Sequence, residues 1–293
     1  MPTPPVPNHP GAFAAVEAIA AAAAGVRPSA LRWLTSGTCA VATDGDVVVR
    51  VAPDRAGTRG CAAAAAVLAT AGLAVPPIGG PVMVGGYAVT TWPYVAALRP
   101  ATWSDVADLL AALHTLAPPA DFAAAVGRFT PWPAGTQREY ATYLGSARAQ
   151  PATAAVMSAA QSALAHLPTP AGPLVLIHRD ARPQNVLVGP AGPRFIDMDM
   201  LLLGPAVVDL VIAVRRAGID PADAQDDPCD LDAFAAAYGS DPRTMPAMAD
   251  LLAVQAAGQL GGLAAQSLTD PALAGAVARH TTLVTRRLSD AGR

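Results

Sequence analysis

The stretch VLIHRDARPQNVLV, residues Val175 to Val188, sets a charged loop between two apolar runs. The first run ends at Leu176-Ile177, and the second begins at Val186. Short apolar runs bounded by turn-forming residues are typical of buried strands. The sequence therefore predicts a strand, a loop rich in polar side chains, and a second strand.

The spacing of oxygen-bearing side chains continues beyond this loop. Asp180 is followed by four residues and then Asn185, and Asp197 lies twelve residues further on in FIDMDM. A hairpin through Gly189 to Gly192 would bring Asn185 and Asp197 together. We expect Asp180 to stand apart from that pair and to face an incoming hydroxyl.

These residue types suit phosphate chemistry. Mg²⁺ prefers oxygen ligands and usually takes one or two from the protein beside water and substrate phosphate. Phosphoryl transfer requires a metal clamp on the phosphates and a carboxylate that orients the nucleophile. The pattern thus favours Asn185 and Asp197 as metal ligands and Asp180 as the residue that acts on the nucleophile.

The composition limits the class of protein. Of 293 residues, 53% are apolar but only 5% are aromatic, which indicates an alanine-rich helical protein. We see no candidate transmembrane run and no basic region of a signal peptide in MPTPPVPNHP. A net charge of −3 without a basic patch disfavours nucleic acid as a partner. We expect a cytoplasmic protein in which Cys39, Cys61 and Cys229 are small buried residues.

Two regions differ in their patterns. Up to about residue 95, strand-like runs around the turn signal Asp44 to Asp46 and an alanine-rich helix at 59–72 predict a small α+β lobe with an antiparallel sheet. A hinge is predicted at Thr91 to Val95. Ser104 is a candidate N-cap of the next helix, and helical patterns follow at 137–166, 206–217, 230–238 and 245–288.

Three motifs together resemble one family. HRDARPQN matches the catalytic loop, FIDMD the metal-binding segment, and GPAVVDL the following segment of the aminoglycoside phosphotransferase/choline kinase family, which is related to the protein kinases. The resemblance runs from about Leu31 to at least Tyr238. It implies a two-lobed α+β, protein-kinase-like fold. Residues 1–94 would form the nucleotide-binding N-lobe, with an N-terminal helix, and residues 95–293 a mainly helical C-lobe with the catalytic loop, metal site and acceptor pocket.

The resemblance also implies residue roles. Asp180 would be the catalytic base, Asn185 and Asp197 would hold Mg²⁺, and ATP would be the phosphate donor, with GTP as the alternative nucleotide. His178 would brace the loop, Asp199 would support the metal site, and Asp209 would bind loop amides. Contacts to the nucleotide would come from Arg50, Ser36, Thr91, Trp92 and Tyr94.

The sequence departs from the family pattern around Arg50. The family pairs this strand cation with a glutamate on the following helix, but here that helix, CAAAAAVLATAG, has no acidic residue. Arg50 can still bind phosphate with two donors, and Asp54 is a candidate for orienting it. The turn Ser36-Gly37-Thr38 is a thin phosphate loop, and the chain contains no lysine, which excludes a Walker A loop.

The acceptor is indicated only by charge. Residues 209–250 contain nine aspartates and three arginines, a net charge of −6. If Asp226, Asp227 and Asp230 line an acceptor pocket, they would suit a cationic hydroxylated molecule such as an aminoglycoside or a basic peptide antibiotic, and the enzyme would confer antibiotic resistance. The same acids would equally suit a solvated loop, and an uncharged hydroxylated metabolite stays open.

Other classes of function fit less of the sequence. A metallohydrolase using His178, Asp180, Asp197 and Asp199 lacks further histidines. A protein kinase would need D-F-G and A-P-E motifs, which are absent. A catalytically weak nucleotide-binding relative remains an alternative because of the missing helix glutamate. The sequence predicts no oligomeric state.

Overall fold

The computed structural model describes residues 10–36, 39–53, 56–117, 126–219 and 228–291. The chain forms two compact units, one from Met1–Gly127 with Val175–Leu203 and the other from Arg128–Leu174 with Gly204–Arg293. The predicted lobe boundary near residue 94 falls inside the first unit and stays a prediction.

The first unit contains a five-stranded antiparallel sheet with the order β1-β2-β3-β5-β4. Its strands are β1 (Arg32–Ser36), β2 (Ala40–Thr43), β3 (Val47–Pro53), β4 (Gly79–Val84) and β5 (Tyr87–Pro93). The β-branched run VVVRVAP forms the central strand. The predicted turn before it is confirmed, since Asp44 Oδ1 accepts the N–H groups of Asp46 and Val47 at 2.9 and 2.8 Å.

Two alanine-rich helices belong to the same unit, α1 (Pro10–Ala24) and α2 (Ala56–Thr70). Small side chains allow a helix to pack close to a sheet. Ala20 of α1 lies in a buried cluster with Ala40, Val49, Val51 and Val89 of the sheet. This packing fixes β3, and with it Arg50, inside the unit.

The remainder of the first unit carries the motif-bearing loop. It consists of α3 (Trp103–Thr115), β6 (Val175–Ile177), the hairpin of β7 (Val186–Gly189) and β8 (Gly192–Phe195), and β9 (Leu202–Gly204), which pairs with β6.

The prediction of Ser104 as the N-cap of α3 is wrong. Thr102 caps α3 because its hydroxyl accepts the Asp105 N–H, while the Asp105 carboxylate accepts the Thr102 N–H. Two Arg99 bonds of 2.7 Å lower the pKa of Asp105 to about 2.

The second unit is helical in its described residues. Its helices are α4 (Ala134–Leu144), α5 (Pro151–Leu164), α6 (Val207–Val214), α7 (Leu231–Tyr238), α8 (Met248–Ser267) and α9 (Ala274–Asp290). Its core includes Tyr140, Tyr143, Met157, Leu164, Leu260, Leu283 and Val284. Prolines explain why two long predicted helices are each divided, since Pro151 begins α5 and Pro271 begins the short turn before α9.

The predicted α+β class, an antiparallel sheet with a mainly helical remainder, is confirmed. None of the helices in the described ranges is long and apolar enough to cross a membrane.

Candidate active site

His178 anchors the start of the loop that follows β6. The residue is fully buried, and its ring lies 4.6 Å from that of Phe195 on β8. The backbone N–H of Asp180 donates to His178 Nδ1 at 3.3 Å. Because the packed His178 ring also accepts a hydrogen bond from the Asp180 N–H, it limits the positions that the Asp180 backbone can take.

Asp180 and Asn185 are in direct contact. The Asn185 side-chain nitrogen donates to the backbone oxygen and to Oδ2 of Asp180, at 2.8 Å in each case. The expectation that Asp180 stands apart from the asparagine is therefore wrong, because the loop curls back over four residues. Arg182 adds an ion pair of 3.3 Å to the same Oδ2. Since its amide nitrogen faces Asp180, Asn185 is left with its amide oxygen to offer a cation.

The hairpin of β7 and β8 brings the segment with Asp197 and Asp199 to the loop that contains Asp180. Val186 pairs with Phe195 and Gly189 with Gly192, as the predicted hairpin requires. The Ile196 N–H donates to the Asn185 carbonyl at 2.9 Å, one residue before Asp197. Asn185 and Asp197 therefore lie at the same end of the hairpin.

Two residues of this region have left-handed backbone conformations. Arg179 has φ 67° and Asp197 has φ 63°. Such conformations cost non-glycine residues about 1–3 kcal/mol and concentrate at functional sites. Their position on either side of Asn185 is consistent with a site whose side-chain directions matter more than backbone stability.

Arg50 reaches the acidic segment from β3. Its Nη2 lies 3.3 Å from Asp197 Oδ1 and bonds to Asp199 Oδ2. Arg50 is 9% exposed, so these carboxylates neutralise a buried charge. Asp54, the candidate for orienting Arg50, lies outside the described residues.

Burial and two neighbouring acids raise the pKa of Asp197. Burial is the main cause of the raised pKa of Asp197, Arg50 opposes it, and Asp199 and Asp180 add to it. The thiol of Cys39 has a pKa raised by burial and lowered in part by Arg50. Cys39 is half-buried beside these groups rather than in a hydrophobic core, whereas Cys229 is buried as expected and the Cys61 side chain is outside the described part.

A cavity of about 460 Å³ opens beside these residues in the first unit. Its walls include Leu34, Val48, Ala65, Trp92, Tyr94 and Ile196 together with Cys39, Arg50, Asn185 and Asp197. Thr91 instead borders a separate cavity next to α1. Of the predicted phosphate turn, Ser36 ends β1 in its backbone, but its side chain and all of Gly37 and Thr38 lie outside the described residues.

Comparison with protein families identifies the family of the chain. Residues 31–251 match the model of the phosphotransferase enzyme family, APH. The chain belongs to this family. It is a member of a phosphotransferase family, and the resemblance read from HRDARPQN and FIDMD is confirmed.

Solved structures share the fold of this phosphotransferase at low identity. A choline/ethanolamine kinase family protein from Mesorhizobium loti is 18% identical with a TM-score of 0.65, over 94% of this chain and 98% of that one. A microcompartment-associated aminopropanol kinase is 20% identical with a TM-score of 0.64, over 89% and 92%. An amicoumacin kinase in complex with AMP-PNP and Ca²⁺ is 11% identical with a TM-score of 0.61, over 88% of each chain. The predicted protein-kinase-like fold is confirmed. No curated protein sequence matches the chain.

The residues predicted for the acceptor and for loop support lie in the second unit of the phosphotransferase. Asp209 is buried in the first turn of α6. Asp230 caps α7 by accepting the N–H groups of Asp232 and Ala233, both at 3.1 Å. Asp226 and Asp227 lie outside the described residues. The predicted roles of all four remain predictions.

The side chains of the candidate site fit a metal ion that takes some of its ligands from the protein and the others from phosphate and water. Within the described ranges, no three His, Cys, Asp or Glu side chains form a group that could hold a metal alone. One amide oxygen and one carboxylate, from Asn185 and Asp197, instead match the few protein ligands that Mg²⁺ takes beside phosphate and water.

Proposed function

We propose that this phosphotransferase moves the γ-phosphate of Mg²⁺-bound ATP to a hydroxyl of a small cationic molecule. The pair of hydrogen bonds from Asn185 to Asp180 carries the proposal, because it ties the proposed base to the proposed metal ligand within one loop. Arg50, Asn185 and Asp197 border the same cavity, and Asn185 contacts the Asp180 carboxylate, so the phosphates would lie close to the reacting group.

The nucleotide would occupy the cavity of about 460 Å³. Its base would lie beside Trp92 and Tyr94 at the end of β5, and its phosphates near the Arg50 guanidinium, which can donate two parallel hydrogen bonds to phosphate. The AMP-PNP and Ca²⁺ of the amicoumacin kinase structure support a nucleotide together with a divalent cation. GTP is the alternative donor.

Asn185 and Asp197 would hold the metal. Asn185 would offer its amide oxygen, since Asp180 accepts from its nitrogen, and Asp197 its carboxylate. When bound, the cation would neutralise charge on the phosphate oxygens. Burial, Asp199 and Asp180 all raise the pKa of Asp197, and a neighbouring positive charge would favour its ionised form.

Asp180 would act on the acceptor. The acceptor hydroxyl oxygen would bond to the γ-phosphorus, the bond to the bridging oxygen would break, ADP would leave, and the hydroxyl proton would pass to Asp180. The contacts of its carboxylate with Asn185 and Arg182 involve Oδ2. We therefore assign Oδ1 as the proton acceptor, and 36% of the side chain is accessible to an incoming hydroxyl.

The acceptor class rests on charge. The net charge of −6 over residues 209–250 would attract a cation, which suits an aminoglycoside or a basic peptide antibiotic. Choline, ethanolamine and aminopropanol, named in two of the similar structures, each combine a hydroxyl with a positively charged nitrogen. A small amino alcohol is therefore the second candidate, ahead of an uncharged metabolite.

The first test is a screen for ATP consumption with hydroxylated antibiotics and amino alcohols, in which the mass of each product identifies the phosphorylated molecule. In the Asp180→Asn variant, we expect kcat to fall by about 10²–10⁴-fold because the amide cannot accept the proton. The affinity for ATP should change little.

Asp108→Asn provides the matched control, because it makes the same substitution at an exposed position of α3 in the same unit. It should keep the parent's kcat. If Asp180→Asn retains most of its turnover, the assignment of the base is wrong. If no acceptor in the screen is phosphorylated while ATP still binds, the catalytically weak alternative gains support.

A further inference from the structure

Arg50 is a buried cation in the central strand of a sheet. Only 11% of its side chain is exposed, and a guanidinium at such a position needs a carboxylate beside it to offset the loss of solvation. The helix that follows β3 cannot provide one, because α2 has the sequence AGTRGCAAAAAVLAT without an acidic residue. The negative charge comes instead from Asp197 and Asp199, 147 and 149 residues later.

The two carboxylates differ in what they face. Asp197 borders the cavity, has 42% of its side chain exposed, and lies 3.3 Å from Arg50. Asp199 is 23% exposed, and its Oδ2 makes the closer contact with the guanidinium. Asp199 Oδ1 is enclosed and has no hydrogen-bond partner among the described residues. Within these residues, Arg50 is therefore the group that holds the Asp199 carboxylate.

We propose that Asp199 is a positioning residue that acts through Arg50, in place of an acid on α2. This inference rests on the proposed function, since it assigns Arg50 to the nucleotide phosphates. A guanidinium has five N–H donors in a rigid plane, so one edge can bond to a carboxylate while another faces a phosphate. Asp199 sets the direction of that plane, and Asp197 remains available to the cavity.

A double-mutant cycle on nucleotide affinity tests the inference. The parent, Arg50→Ala, Asp199→Asn and the double variant are titrated with Mg²⁺-bound AMP-PNP in a calorimeter, and KM for ATP and kcat are measured once an acceptor is known. Asp199→Asn keeps the volume and removes the charge. We expect it to weaken binding about tenfold in the parent and to have no further effect when Arg50 is already alanine.

The position of Asp199 also predicts how the effect of its substitution is divided between KM for ATP and kcat. Asp199 affects the binding of the nucleotide phosphates by Arg50 rather than the transfer of the acceptor proton. Asp199→Asn should therefore raise KM for ATP more than it lowers kcat. A parallel cycle with Arg50→Gln, which keeps a long polar side chain, covers the case in which Arg50→Ala does not fold. Asp108→Asn again controls for a change of one charge in the same unit.

The opposite results are specific. If Asp199→Asn weakens binding equally with and without Arg50, or if excess Mg²⁺ restores its affinity, Asp199 acts on a metal ion and the inference is overturned. If Asp199→Asn binds Mg²⁺-bound AMP-PNP with the affinity of the parent, Asp199 has no role in positioning Arg50. Failure of the parent itself to bind Mg²⁺-bound nucleotide would overturn the proposed function as well, so the two failures are distinguished by one titration.

Discussion

Asp197 carries two unfavourable features at the scale of a single residue. Its backbone is left-handed, with φ 63°, and its carboxyl has a pKa raised by burial, with further contributions from Asp199 and Asp180 against the opposing effect of Arg50. Left-handed backbone conformations suit asparagine better than most other side chains. An asparagine at this position would therefore keep the backbone and remove the unfavourable charge.

We predict that Asp197→Asn raises the melting temperature of the ligand-free protein at neutral pH and abolishes metal-dependent nucleotide binding. An acid whose folded-state pKa is raised binds its proton more tightly in the folded protein. Its ionised form therefore destabilises the fold, and stability is regained as the pH falls through the raised pKa. The difference in melting temperature between the variant and the parent should therefore become smaller as the pH falls through the raised pKa of Asp197.

Thermal melts of parent and variant across a pH series, without nucleotide or divalent cation, check the stability difference. Calorimetric titration with nucleotide, with and without Mg²⁺, checks the metal. If the variant is less stable than the parent at neutral pH, the ion pair with Arg50 outweighs the effect of burial. A variant with unchanged Mg²⁺-dependent affinity would remove Asp197 from the metal site.

At the scale of elements, α4 and α8 approach each other closely at Gly261. A Cβ atom there would lie 2.8 and 2.9 Å from two ring carbons of Tyr140. The ring cannot move away easily, because it is fully buried, its hydroxyl donates to the Ala257 carbonyl at 3.1 Å, and it packs edge-on against Trp132 with centroids 5.0 Å apart. The missing side chain at Gly261 is therefore a requirement of this helix pair.

We predict opposite effects of alanine at two glycines of α8. Gly261→Ala should destabilise the protein by about 1–2 kcal/mol, because overpacking at Tyr140 exceeds the gain in helix propensity. Gly258→Ala is the control, since its nearest contact is Thr136 Oγ1 at 3.9 Å. It should stabilise α8 by up to about 1 kcal/mol.

Denaturant unfolding of both variants measures these differences. Equal stabilities for the two would mean that Tyr140 yields at little cost and that the helices are not held at this distance by the glycine.

The elements that could be predicted from sequence are those set by neighbours in the chain. The turn at Asp44 to Asp46 and the hairpin at Gly189 to Gly192 follow from turn chemistry over a few residues. The sequence prediction of Ser104 as the cap of α3 lies two residues too late, because Thr102 and Ser104 are both good caps and only the reciprocal bonds with Asp105 distinguish them.

Contacts between distant residues could not be predicted in this way. The bond of Arg50 to Asp199 spans 149 residues, and no periodic pattern in either segment indicates it. The same holds for Cys39, whose place beside Arg50 depends on the pairing of three strands. The Asn185 amide contact with Asp180 is local, but it depends on side-chain rotamers that residue spacing does not determine.

Charge is the property that concerns the whole molecule. The net charge of −6 in residues 209–250 is opposed by +3 in the rest of the chain. Several of the described acids already have local partners, since Asp230 caps α7 and Arg243 pairs with Asp232 at 2.6 Å and with Asp241 at 2.9 Å. We expect the attraction of a cationic acceptor to come from Asp230 and from the aspartates between residues 220 and 227.

We predict that KM for a cationic acceptor rises with ionic strength more steeply than KM for ATP, because salt screens exposed charges beyond about 8 Å at physiological concentration. Replacing Asp226, Asp227 and Asp230 together with asparagine should raise acceptor KM at low salt and flatten its salt dependence. Asparagine also serves as a helix N-cap, so α7 should keep its start.

Steady-state kinetics at several salt concentrations provide the measurement, with the Asp108→Asn variant as a control for net charge. If the triple variant has the acceptor KM of the parent at low salt, the segment is a solvated loop and the cationic acceptor loses its support from charge.

The division of the first unit into Met1–Gly127 and Val175–Leu203 has a consequence for synthesis. A nascent chain presents the sheet and Arg50 to solvent before Asp197 and Asp199 have been translated. At about 5–20 residues per second, several seconds pass before those carboxylates leave the ribosome. The first unit therefore cannot be completed until residues 175–203 have been translated, and an expression fragment ending at residue 127 lacks the acids that neutralise its buried arginine.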